Sequence, residues 1–113
     1  MNKRRANASP LIGKMAYVNT QWRVCGIWLA CECGERYTLA HVIGACGVHP
    51  VTHGGVTRYQ LWHVSHVPTG RTIAMRQHAA DAMVIAEALA TADGMNSTST
   101  ARVRALVGQV IGV

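Results

Sequence analysis

Four cysteines and six histidines in 113 residues are the side chains of this sequence with the most capacity for chemistry. Cys31-Glu32-Cys33-Gly34 and Cys46-Gly47-Val48-His49 form two close pairs, with twelve residues between Cys33 and Cys46. Four-coordinate zinc takes thiolates and imidazoles from two such pairs, because a tight turn brings each pair within tetrahedral reach and a following glycine lets the chain wrap the ion. Cys31, Cys33, Cys46 and His49 are therefore the candidate zinc ligands. The first pair has one intervening residue where two to four are usual, Cys25 lies outside the scheme, and His41 and His53 are alternatives to His49. Two other readings stand beside it. Free cysteine behaves as a small hydrophobe and is among the most buried residue types, so these thiols also suit a core, and a disulfide is the third alternative.

Beyond those pairs the sequence holds little that could catalyse a reaction. His63 and His66 flank Ser65, with Asp81 downstream, but a nucleophile and its base are recognised by geometry, and alternation along a strand puts these two histidines on opposite faces. A phosphate-binding glycine motif, paired catalytic carboxylates and a helical His-Glu zinc motif are all missing. A non-enzymatic protein is expected, with no catalytic residue and no cofactor other than the zinc alternative.

These residues must be positioned by strands and helices that the pattern of apolar residues outlines. Residues 1 to 14 read as a mobile basic tail and residues 15 to 113 as one domain. From Trp22 to Cys31 the chain is nearly continuously apolar and reads as a strand, with Cys25, Ile27, Leu29 and Cys31 on one side and Trp22, Val24, Trp28 and Ala30 on the other. Glu32 to Glu35 is a turn. Residues 36 to 45 suit either a returning strand or a short helix capped by Thr38, and both stay open. The glycines and Pro50 between Gly44 and Gly55 predict a long exposed loop of the kind that often carries function. Val56 to Val67 is the next strand, and Val67-Pro68-Thr69-Gly70 a turn into Arg71–Met75, which makes a hairpin. An alanine-rich helix from about Gln77 to Ala92 follows, stopped by Gly94. A terminal helix carries Val103, Leu106, Val107, Val110 and Ile111 on one face, with Ser99 or a neighbour as its cap. That face either packs on its own domain or supports a homodimer. The fold class is α+β: a small antiparallel sheet of hairpins against the alanine-rich helix, plus the C-terminal helix.

Half of the residues are apolar and only 14% charged, which excludes a disordered chain. Phenylalanine is absent, so Trp28, Tyr37, Tyr59 and Trp62 are the bulkiest material available and are expected inside. The net charge of +6 makes nucleic acid or an acidic protein plausible electrostatically. Its arginines are scattered, however, and form no basic stripe. No apolar run of export-signal or membrane-spanning length occurs, which predicts a cytoplasmic protein with reduced cysteines and no membrane partner.

Leu61-Trp62-His63-Val64-Ser65-His66-Val67-Pro68-Thr69-Gly70, followed by the alanine-rich helix, resembles a pattern found in small uncharacterised proteins of actinobacteria and their phages. The resemblance spans about a third of the chain and leaves out the cysteine pairs. It implies a phage-encoded or host accessory protein that acts by binding, with no catalytic residues to carry over. The expected function is thus protein–protein contact with a host macromolecule through a sheet edge, the 44–55 segment or the terminal helix, in the host cytoplasm if phage-encoded. The alternative is a nucleic-acid-binding regulator with a structural zinc.

Overall fold

The computed structural model describes residues 21–31, 34–53 and 56–112. Five strands, β1 (Arg23–Cys31), β2 (Gly34–Ile43), β3 (Cys46–His53), β4 (Val56–His66) and β5 (Arg71–Arg76), precede two helices, α1 (Ala79–Ala90) and α2 (Thr100–Ile111). The strands form one antiparallel sheet in sequence order, so every connection is a hairpin. The α+β class expected from the sequence is the class observed. The basic tail, together with Cys33, Gly54 and Gly55, lies outside the described residues.

The sheet curls until its two edges meet at one end, where the Ala30 amide donates to the Gly70 carbonyl at 2.8 Å. Curling gives it a concave and a convex face, each with a core of its own. Register places Cys25, Ile27 and Leu29 of β1 opposite Ala40, Thr38 and Arg36 of β2, all turned to the concave side. Ile27, Ala40, Val42 and Val67 form the buried cluster there. On the convex side Ile43, Cys46, Val48 and Val64 meet Ala82, Ile85, Ala86 and Leu89 of α1 and Val103 and Val107 of α2. The alternation read for β1, and for β4 with Trp62 and Val64 on one side and His63 and Ser65 on the other, is the alternation the strands adopt.

Alanine in α1 lets the helix lie against backbone. Gly44, at φ +56°, turns β2 into β3, and a Cβ there would stand 3.0 Å from the Ala90 Cα. Glycine is required twice over at this position, by its left-handed conformation and by the helix pressed on it. Ser99 caps α2, its Oγ accepting from the Arg102 amide at 3.3 Å, and Gly112 ends the helix in the left-handed conformation. Val103 and Val107 are spent inside the chain's own core and Leu106 and Ile111 pack on its margin, so most of the apolar stripe of α2 packs on its own domain, with Val110 left exposed.

One open choice is settled, and two expectations need correction. Residues 36 to 43 are strand, the first of the two alternatives. The described part of the segment 44–55 is not a long loop: after a two-residue turn, Cys46–His53 is a strand, with residues 46–49 buried. Its glycine and proline have packing roles there. A Cβ on Gly47 would sit 2.9 Å from the Ile27 Cδ1, and Pro50, lacking an N–H, stands where the β3–β4 register shifts. Finally, none of the aromatic side chains described is part of the fully buried core, which is built from Ile27, Leu89, Met95 and valines; Trp22 and Trp62 pack only on its margin.

Candidate functional site

Of the four candidate zinc ligands, Cys31, Cys46 and His49 are among the described residues, and the structure does not group these three. Cys46 and His49 are three residues apart on one extended strand, so they project from opposite faces of β3. Cys46 points into the helix-side core, where burial pushes its thiol up to about 12. Zinc binds the thiolate, a form this environment opposes. Cys31 is exposed at the end of β1 and Cys33 is outside the described residues. Among the described residues no three His, Cys, Asp or Glu side chains are grouped to hold a metal ion. A zinc site that used both Cys46 and His49 would need β3 to break.

His49 instead belongs to a polar cluster on the concave face. Register pairs His49 with His63 and Gly47 with Ser65 across β3 and β4. The His49 Nδ1 donates to the Pro50 carbonyl at 3.2 Å, and its Nε2 accepts from the Ser65 hydroxyl at 2.8 Å. These are the roles of the neutral ring, which burial favours. The His63 ring lies edge-on, 5.7 Å between centroids, and its Nδ1 meets the Thr72 hydroxyl at 3.3 Å. Burial lowers the His49 pKa to about 4, with smaller contributions from the charges of His63 and Arg36, and burial also lowers that of His63. Leu29, Arg36, Thr38 and Val51 complete a cleft of about 60 Å³ at the mouth of the curl.

Chemically, His49 and Ser65 have the contact of a base and its hydroxyl. Ser65 is 0% exposed, however, so the hydroxyl is not presented to a substrate in this arrangement. The pair joins two strands through a satisfied buried hydrogen bond. His66, as its strand position predicts, is on the other face. Its Nε2 donates to the Met95 carbonyl, its Nδ1 accepts from Thr69 at 2.9 Å, and burial lowers its pKa. Asp81 is on the exposed side of α1.

The convex face of the sheet beyond the helices is the feature that sequence reasoning missed. Val24 is 63% exposed, Tyr37 57%, Leu39 65% and Tyr59 70%. Tyr37 packs edge-on against Trp28 at 4.9 Å, its hydroxyl end over Gly26, which has no side chain to obstruct it. Tyr59 and Trp62 stand 6.1 Å apart, the Trp62 indole donating to the Tyr59 carbonyl at 2.9 Å. Between them Val24, Leu39, His41, Pro50, Tyr59 and Trp62 line a shallow groove of about 310 Å³. No Lys, Arg, Asp or Glu lines it. The side on which Val24 stands was readable, but alternation puts Tyr59 on the His63 side of β4, and it is the register shift after Pro50 that brings it beside Trp62 on the groove; which face the helices would cover was not readable either.

No protein family, no curated protein and no solved structure matches the chain. Among the described residues no helix is long and apolar enough to cross a membrane.

Proposed function

We propose that the chain is a non-enzymatic binding protein that engages a partner protein through the open convex face of β1, β2 and β4. The observation that carries this reading is the exposed apolar group Val24, Tyr37, Leu39 and Tyr59 around an uncharged groove. Contiguous exposed apolar patches mark interaction surfaces, and aromatic anchors at a patch centre are the residues that bind. Of the three surfaces the sequence suggested, Cys46–His53 of the 44–55 segment is a strand and α2 has buried most of its stripe, while the edge of β1 is tied at Ala30 to Gly70. A face that the sequence did not suggest is the best remaining candidate.

Base stacking on Tyr37 and Tyr59 is the second reading, favoured by their exposure. Stacking platforms that hold single strands also track the phosphates with cations, and this groove has none along it. Protein contact is therefore preferred. If the chain is a phage-encoded accessory protein, as its resemblance implies, the partner is a host macromolecule in actinobacterial cytosol.

Capture from that cytosol by immobilised wild-type protein and by Leu39→Asp, each with and without nuclease, tests the reading. A partner retained after nuclease and lost with Leu39→Asp is the expected result. Capture abolished by nuclease would favour nucleic acid, and capture unaffected by Leu39→Asp would remove the convex face from the account.

A further inference from the structure

A second concavity, sharing no residue with the convex groove, lies between the start of β5 and α2. Its volume is about 320 Å³, at the low end of the roughly 300–1,000 Å³ typical of small-molecule sites. Arg71 of β5 and Arg104 of α2 both line it, and no carboxylate does. Its floor is apolar, made by Ile73, Val103 and Val107. Thr100, one helical turn before Arg104, adds a hydroxyl on the same side of α2.

Arg71 and Arg104 put two cationic side chains on a groove that no carboxylate lines. An anion seated there accepts the directed N–H groups that arginine offers to carboxylate or phosphate. Ile73, half-buried, is the main apolar side chain of the floor left open, since Val103 and Val107 are already buried in the core, and apolar surface left wet gains from being covered. We infer that this groove binds a small organic anion: one carboxylate or phosphate group joined to a compact apolar body, with the charged end at Arg71 and Arg104 and the apolar end over Ile73.

Four probes separate the parts of this inference: phenylacetate, phenyl phosphate, inorganic phosphate and neutral phenylacetamide. Each is titrated into the full chain while backbone amide resonances are followed by NMR. The inference expects saturable shifts confined to residues 69–73 and to the 100–108 stretch of α2 that lines the groove, with phenylacetate or phenyl phosphate, and the stronger of the two identifies the head group. Inorganic phosphate and phenylacetamide are expected to bind at least tenfold more weakly than that ligand. Arg71→Gln/Arg104→Gln should weaken it tenfold or more; both side chains are exposed, so the variant retains the core. Absence of saturable shifts with both organic anions overturns the inference, as does equal binding by the double variant. Inorganic phosphate binding as tightly as phenyl phosphate overturns the apolar half, and phenylacetamide binding as tightly as phenylacetate overturns the anionic half.

Discussion

Acidification from about pH 7.5 to about pH 5 should destabilise this protein largely through His49. The ring is 2% exposed and is held neutral, donating to Pro50 and accepting from Ser65, with a pKa lowered from 6.5 to about 4. Because the folded value is the lower one, the unfolded chain binds the proton more readily. Stability from this group is complete above the unfolded value of 6.5 and is lost as pH falls toward about 4. At about pH 5 the unfolded histidine is almost fully protonated and the folded one mostly neutral. The span from 6.5 to 5 is about 1.5 pKa units, or about 2 kcal/mol. His63 and His66 are lowered as well and add loss of the same sign. Against a total stability of about 5–15 kcal/mol for a domain, the His49 contribution alone is large. Urea unfolding followed by circular dichroism across this range reads it directly, since about 2 kcal/mol moves the midpoint by roughly 1–2 M. His49→Gln separates this histidine from general charge repulsion. The variant should lose about 1–3 kcal/mol at the upper pH, where Ser65 loses its partner. Its stability should then fall by about 2 kcal/mol less than wild type on acidification. An identical pH slope in wild type and His49→Gln would refute the reasoning.

Other substitutions probe the fold that carries the proposed face. Leu89→Ala, at a fully buried position between α1 and the sheet, is expected to cost about 2–5 kcal/mol in chemical denaturation. Gly47→Ala places a Cβ 2.9 Å from the Ile27 Cδ1 and should cost about 1–3 kcal/mol, with a smaller cost in an Ile27→Val background, where that methyl is gone. Additive costs in that double-variant cycle would show that the two side chains do not compete for the space. Ser99→Ala should lower stability by about 1 kcal/mol through loss of the α2 cap. A thiol reagent should modify exposed Cys31 in the native protein and reach Cys46, whose thiol is pushed up to about 12, only on unfolding.

Local signals in this sequence were reliable and long-range ones were not. The turn at Pro68–Gly70, the one-sided placement of Cys25, Ile27 and Leu29, and the Ser99 cap each depend on a few neighbouring residues, and each is present. Gly47 and Pro50 carry the residue types of a loop, yet one fits beneath Ile27 and the other occupies a register shift, circumstances created by strands elsewhere in the chain. Misreading β3 as a loop also hid the pairing of His49 with His63 and Ser65, because that pairing exists only through the β3–β4 register. It left Cys46 and His49 looking like a turn-borne ligand pair. The aromatics were misplaced for a different reason: with small side chains on α1 the sheet and helix approach closely, and valine, isoleucine and leucine suffice to fill the gap. Tyr37 and Tyr59 are thereby left outside.

The affinity of the captured partner for wild type and for Leu39→Asp, measured at roughly 50 mM and 500 mM salt, tests the central claim most directly. Protein contact through the convex face predicts about a thirtyfold loss, near 2 kcal/mol, with Leu39→Asp and little change with salt. A steep fall in affinity with salt and no effect of Leu39→Asp would contradict it and would place recognition on the arginines instead.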